Sequence, residues 1–467
     1  MSGSRRRRTK AKPHASRVQE KAGPTTRAYF QRDVGAFGRT FRFRTSPMVI
    51  ERQLGSKLWD MDGNEYLDLS AGGTVANTGY CHPAVVEAAS SELRRFTHAL
   101  TPLFPNPAAI ELAEELKAMA PGRFEKRVWL GNSGSDAAET VYDFLPAATG
   151  RRKIITFYGS HHGLTVGANM LSGHVVSSRF LQSPIVTKTP FPYCYRCTQK
   201  KREGECCNFP IKFLEEQVFT NVCRPEETAC IMVEPVQGLA GDIVPPDDFL
   251  PELGEVCEKH GIALVADEVK TCMARTGKML AVDHWKVTPD VVILGKPLAS
   301  GLPLSAVVGR REIMDSDSFN HLSTTSGHPV CCSAALVTVK VIRDEKLEER
   351  STRLGARLRE GLEGMMDRHP LIGDVRGKGL FIGVELVSDR GTKAPAKDET
   401  TKMVYRAWQR GLILANVGTF GNTLEITPPL VIKEEEVDSA LEVFEATLED
   451  VEEGRVPDGV LDERNWD

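Results

Sequence analysis

Six apolar runs of strand length, separated by stretches in which apolar residues recur every three or four positions, limit this chain to few architectures. The runs fall at 127–130, 153–157, 229–233, 262–266, 291–294 and 305–308, and helical spacing marks 108–119 and 249–260. Strands alternating with helices predict an α/β sheet with helices on both faces. Ahead of them, 49–52, 57–60 and 66–69 alternate or run apolar around Asp62-Gly63-Asn64, a hairpin signal that predicts a small N-terminal sheet. After Pro329, helix-like stretches at 333–342 and 347–366, a strand at 379–386 and a last helix at about 434–449 predict a smaller α+β lobe. The expected division is a basic tail and lead-in over 1–46 and the N-terminal part of the small domain over 47–104. A large domain over 105–330, the rest of the small domain over 331–452 and an acidic tail over 453–467 complete it.

Charge and cysteine usage narrow the class. The net charge is −4, but residues 1–22 carry eight Lys and Arg against one Glu, so the body is acidic at −11. No apolar h-region follows Arg5-Arg6-Arg7-Arg8 and Pro13 interrupts, so a solvated tail is expected rather than a targeting or nucleic-acid element. No apolar stretch reaches membrane-spanning length, and no membrane partner is expected. Of eleven cysteines, Cys230, Cys257, Cys331 and Cys332 lie in apolar context, as in a reduced cytoplasmic protein. Cys194, Cys197, Cys206 and Cys207 form a CxxC followed by an adjacent pair, a weak zinc candidate because neighbouring ligands suit a tetrahedron poorly. A structural loop or a disulfide is equally open there, and no metal is expected to serve catalysis.

Two charged residues end apolar runs: Asp267 after 262–266 and Lys296 after 291–294. Charge leaving a core is costly unless it is used, and a desolvated lysine amine becomes a usable nucleophile. A structural ion pair or two solvated loop residues would satisfy the pattern. So would pyridoxal phosphate chemistry, with the lysine holding the aldehyde as a Schiff base and the aspartate keeping the pyridine nitrogen protonated. Upstream, the strand 128–130 turns through Gly131-Asn132-Ser133-Gly134-Ser135 directly into a helix. Its free N–H groups make an anion site, although any capped helix looks similar. Pro146 predicts that this helix kinks or ends early.

Taken in order, Gly131 to Glu139, Tyr158-Gly159-Ser160-His161-His162-Gly163, Val233-Glu234-Pro235-Val236-Gln237-Gly238, Ala266-Asp267-Glu268-Val269, Arg275-Thr276-Gly277-Lys278 and Leu294-Gly295-Lys296-Pro297 resemble the motifs of class III pyridoxal-phosphate-dependent aminotransferases. The resemblance runs from about Pro47 to Phe444. It implies fold type I, with a mostly parallel seven-stranded sheet between helices and a smaller α+β domain. It also implies a homodimer with shared active sites and pyridoxal 5'-phosphate as cofactor. By the same resemblance Lys296 is the Schiff-base lysine, Asp267 the pyridinium partner, Gly134 and Ser135 the phosphate loop, Val269 the backing of the ring, and Thr324 the threonine that reaches the neighbouring subunit's phosphate.

The departures from the family pattern bear on substrate. His161 stands where relatives stack a tyrosine, and Lys270 where they carry a glutamine beside the ring O3′. Glu425 replaces an arginine that faces a glutamate, here Glu234, and Gly73 replaces a larger apolar residue. Two converging carboxylates repel unless a cation or proton lies between them. A cationic or hydroxyl-rich amine is therefore one expectation; a carboxylate held by Arg39, Arg42 or Arg44 is another, and Glu425 pointing away from the site is a third. The expected activity is amino transfer from an amine or amino acid to a 2-oxo acid. Epimerisation, aminomutation, elimination and a cofactor-binding pseudo-enzyme are the alternatives.

Overall fold

The computed structural model describes residues 22–176, 182–197, 209–316 and 321–463. Strands β1 (Ile50–Leu54), β2 (Lys57–Asp60) and β3 (Glu65–Asp68) form the N-terminal sheet, with Asp62-Gly63-Asn64 between β2 and β3 as the hairpin signal predicted. The large sheet comprises β4 (Lys126–Gly131), β5 (Lys153–Phe157), β6 (Val186–Thr189), β7 (Thr228–Val233), β8 (Ala263–Asp267), β9 (Val291–Leu294) and β10 (Ser305–Arg310). The last sheet holds β11 (Ile372–Lys378) and β12 (Phe381–Asp389), with the short β13 (Ala394–Pro395) paired to β12. Strand β14 (Leu412–Ile413) follows, then β15 (Ala415–Val417) and β16 (Thr423–Ile426), which join the β12 sheet.

The large sheet runs in the order β4-β10-β9-β8-β7-β5-β6. Strand β10 is antiparallel to both β4 and β9, and every other neighbouring pair is parallel. Two reversals cancel, so β4 points the same way as β5, β7, β8 and β9. Their five C-terminal ends therefore share one edge, where α/β sheets bind ligands. Strand β7 is buried along its whole length, as expected of a parallel strand covered on both faces by helices. Strand β6, with alternating Lys and Thr, was not visible as an apolar run because it lies at the edge of the sheet. Parallel pairing of β14 with β3 at Leu412↔Leu67 ties the C-terminal region to the N-terminal sheet.

The helix Gly134–Thr149 continues through Pro146, contrary to the break expected from sequence. Pro146 lies in the last turn, where few ladder bonds remain to be lost, and buried Phe144 and Leu145 hold that turn against the sheet. Among the described residues no helix is long and apolar enough to cross a membrane.

The helix Leu347–Met365 crosses the chain so closely that a Cβ on Gly355 would lie 2.0 Å from the Gly379 carbonyl oxygen. Glycine-to-alanine inside a helix usually gains up to about 1 kcal/mol, but here the clash is with backbone and the sign reverses. Gly355→Ala is expected to lower stability by roughly 3 kcal/mol, read as a fall in the thermal midpoint.

Candidate active site

The shared sheet edge collects the chemistry. Asp267 ends β8 and is 4% exposed. Its Oδ2 accepts from His162 Nδ1 at 2.7 Å and its Oδ1 from the Val269 N–H at 3.0 Å. Lys296 follows β9 with φ of +39°, a left-handed conformation that a lysine adopts only when its surroundings impose it. Burial drives its amine well below the ordinary lysine range; the neighbouring Lys270 charge pushes the same way, while Asp267, Glu234 and Glu425 oppose.

Between these two residues the backbone is as close as atoms allow. A Cβ on Gly134 would come within 2.7 Å of Val269 Cγ1, and one on Gly295 would lie 3.2 Å from the same atom. The turn at Gly134, Val269 two residues after Asp267, and Gly295 before Lys296 thus touch, and a side chain at Gly134 or Gly295 would prise them apart. Ser133 caps the helix by accepting from Asp136 N at 3.1 Å. That leaves the first N–H groups of the helix, at Gly134 and Ser135, without an intrahelical acceptor and available to an anion. Ser135 Oγ accepts from Leu164 N at 3.1 Å, fixing the loop that carries His161 and His162 over the turn.

The structure gives His161 and His162 different contacts. The His161 N–H donates to Glu234 Oε1 at 2.8 Å, and burial pushes its imidazole down to about 3, with Lys296 adding to the shift. The ring is neutral at physiological pH. His162, not singled out in the sequence, is the residue that orients Asp267. Its only signal was the His-His pair itself, since the contact spans 105 positions.

The expected meeting of Glu234 and Glu425 takes a different form. Glu234 accepts from His161 N and from Gly238 N at 3.1 Å. Lys270 is in contact with Glu425, and a Cβ on Gly238 would lie 3.0 Å from Lys270 Nζ. The cation required beside the carboxylates is therefore Lys270, supplied by the chain itself. Burial works against its charge, but the contact with Glu425 opposes burial, and the amine is raised. Glu425 is buried and pairs inward, so it does not point away.

Gly73 sits in a run of four left-handed residues, Ala71 to Thr74, and a Cβ there would meet nothing within 4 Å. The turn leans on the end of β16 through Thr427, whose N–H donates to Leu69 O at 2.7 Å. Thr324 is exposed beside Ser323, which accepts from Asn132 Nδ2 at 3.0 Å across the phosphate turn. Of the arginines considered for a carboxylate, Arg44 pairs with Asp33 at 2.8 Å and Arg39 is exposed. Cys194 and Cys197 flank Arg196, which grips Glu385 at 2.5 Å. Cys206 and Cys207 lie outside the described residues.

Glu268, beside Asp267, is fully buried; desolvation raises its carboxyl to about 7, with Thr271 and the Val282 N–H opposing. A carboxyl raised in the fold stabilises it below the unfolded value of 4.5, and that stability is lost as pH rises through about 7. Relative to Glu268→Gln, the wild-type urea midpoint is expected to fall between about pH 5 and 8 by the equivalent of roughly 3 kcal/mol.

The family profile for class III aminotransferases matches residues 42–448. An isoleucine 2-epimerase from Lentilactobacillus buchneri is 39% identical, covering 90% of this chain and 94% of the relative. A 5-aminovalerate aminotransferase from Pseudomonas aeruginosa is 37% identical, covering 85% and 92%. An amine transaminase from an uncultivated Pseudomonas species, solved with pyridoxal phosphate bound, superposes with a TM-score of 0.81 at 31% identity, covering 88% of this chain and 95% of that one. With the ordered motifs on one sheet edge and the match running from residue 42 to 448, the chain belongs to the class III aminotransferases, pyridoxal-phosphate-dependent transaminases of fold type I.

Proposed function

We propose that the chain moves an amino group from an amine or amino acid to a 2-oxo acid with Lys296 as its acid–base residue. The observation that carries this reading is a desolvated lysine amine on the same sheet edge as a buried aspartate and an open helix N-terminus, joined by the Gly134–Val269–Gly295 contact. Pyridoxal phosphate fits that edge: the N–H groups of Gly134 and Ser135 suit a phosphate, and Asp267, oriented by His162, suits a pyridinium proton. Bound there, the cofactor supplies an aldehyde for the substrate amine and a sink for the electrons of the broken C–H bond. Lys296, whose amine burial pushes below the ordinary lysine range, takes the proton from the substrate carbon and gives it back one position away. Asp267 is held in place by His162 Nδ1–H and Val269 N–H, which donate to its two oxygens. Val269 and His161 are assigned to the two ring faces, and Lys270, Glu234, Glu425 and Gly73 to the substrate side.

A homodimer belongs to this reading. Leu103, Phe104 and Leu322 are each more than 60% exposed. Thr101 Oγ1 donates to Gly327 O at 2.8 Å and brings their two segments together beside Thr324. An apolar face next to a phosphate turn suits a second copy whose Thr324 completes the site. The division into a large lobe over 105–330 and a small lobe from 47–104 and 331–452 is part of the same proposal, supported by the β3–β14 pairing. A cytoplasmic location is supported by the buried thiols of Cys230, Cys257, Cys331 and Cys332.

Because Lys270 already answers Glu425, the charge argument for a cationic donor loses its premise, and carboxylate-bearing donors stand on equal terms. The 39%-identical epimerase supports a second reading, return of the proton to the original carbon, for which the neutral imidazole of His161 is a second base. Incubation with an amine panel decides between them. Product formation dependent on pyruvate or 2-oxoglutarate is expected; deuterium entering the substrate carbon without an oxo acid would favour epimerisation. Lys296→Met is expected to cost at least about 10³-fold in kcat, measured in single-turnover assays with a saturating donor.

A further inference from the structure

One buried acid has no place in the scheme above. Asp242 lies in the loop between β7 and the helix Phe249–His260, with φ of +55° and no exposed surface, and among the described residues neither carboxyl oxygen meets a donor N–H or O–H. An ionised carboxylate buried without a donor is among the most costly states a fold can hold.

The loop is held there deliberately. Arg376 of β11 donates through Nε and Nη2 to Gly241 O at 2.8 and 2.5 Å, and through Nη1 to Asp374 and Glu385 at 2.6 and 2.8 Å. Its charge is spent on those carboxylates. Under Asp242 lies Gly383 of β12, where a Cβ would come within 3.1 Å of Asp242 Cβ and 2.9 Å of Gly241 O. Gly383 is the register partner of Glu425 on β16. The missing side chain leaves a hollow in which Asp242 packs against the strand position paired with Glu425. The charged groups facing Asp242 are thus Glu425 from β16, Lys270 from the segment after β8 and Arg376 from β11.

Two carboxyls and one ammonium then converge, with Asp242 and Glu425 buried and Lys270 nearly so. We propose that Asp242 is a proton-holding positioning residue: it stays neutral and donates to Glu425, leaving Glu425 as the one carboxylate in contact with Lys270, so that the Lys270 charge keeps the Lys296 amine unprotonated. Burial and the adjacent Glu425 both push the Asp242 carboxyl well above the usual range, with Lys270 and Arg376 opposing. After burial, Lys270 is the largest influence holding Lys296 down. An ionised Asp242 would cancel that influence. The inference rests on the assignment of Lys296 as the cofactor lysine, and goes beyond it by placing control of that lysine in a residue of a distant loop.

Two measurements on the holoenzyme test it. In the infrared difference spectrum of wild type minus Asp242→Asn near pH 8, a protonated-carboxyl carbonyl band is expected; a carboxylate pair of bands in its place overturns the proposal. In the pH titration of the cofactor's visible band, Asp242→Asn is expected to keep the wild-type midpoint within about 0.3 unit, whereas Lys270→Met raises it by about one unit or more. A shift of about a unit in Asp242→Asn, or none in Lys270→Met, overturns it equally. Should Asp242→Asn not fold, Asp242→Ser, a smaller neutral donor, reads the same midpoint. A wild-type protein without any visible band would instead refute the cofactor assignment, and the infrared comparison would still report on Asp242.

Discussion

Holding charge out of water at the end of a sheet is the constraint on which this structure turns. Asp267 sits in a nearly closed pocket where His162 and the Val269 N–H donate to its carboxyl oxygens, and the rest of the site is arranged around those bonds. His162 reaches Asp267 because the loop after β5 is fastened to Ser135, and Ser135 is placed by the cap at Ser133. The turn at Gly134, Asp267 and Lys296 are therefore one mechanical unit, closed by the approach of Gly134 and Gly295 to Val269. A change at any of the three is felt by the other two.

The sheet makes this possible. Antiparallel β10, inserted between β4 and β9, restores the direction of β4, so the turn after β4 opens on the same edge as the ends of β8 and β9. Left-handed backbone concentrates nearby, at Lys296, Ser300, Met273, Ala274 and the run from Ala71 to Thr74. Asn77 Nδ2 stitches that run to Met273 O at 2.7 Å, and Arg275 donates to Asn77 Oδ1 at 2.6 Å. Strain of this kind persists only where surrounding contacts over-determine it, as around a site whose geometry must be exact.

Much of this was legible in the sequence because it is local. Apolar runs marked β4, β5, β7, β8, β9 and β10 to within two residues, and charge at the ends of two of them marked Asp267 and Lys296. What stayed hidden depends on pairing across the chain. Lys270 and Glu425 lie 155 positions apart, and neither reveals that it neutralises the other; read singly, Lys270 belonged to the ring and Glu425 to the substrate. Asp242 offered no pattern at all, since its meaning comes from the hollow at Gly383. Pro146 misled because helix propensity is weak beside a buried Phe144 and Leu145.

The account places two lysines in one buried pocket and gives only Lys296 a free amine, Lys270 being bound to Glu425. Borohydride reduction of the holoenzyme, followed by peptide mass mapping, reads which of them carries the cofactor. A pyridoxyl adduct confined to the peptide containing Lys296 is the result this account requires; an adduct on Lys270, or none on either, would contradict it.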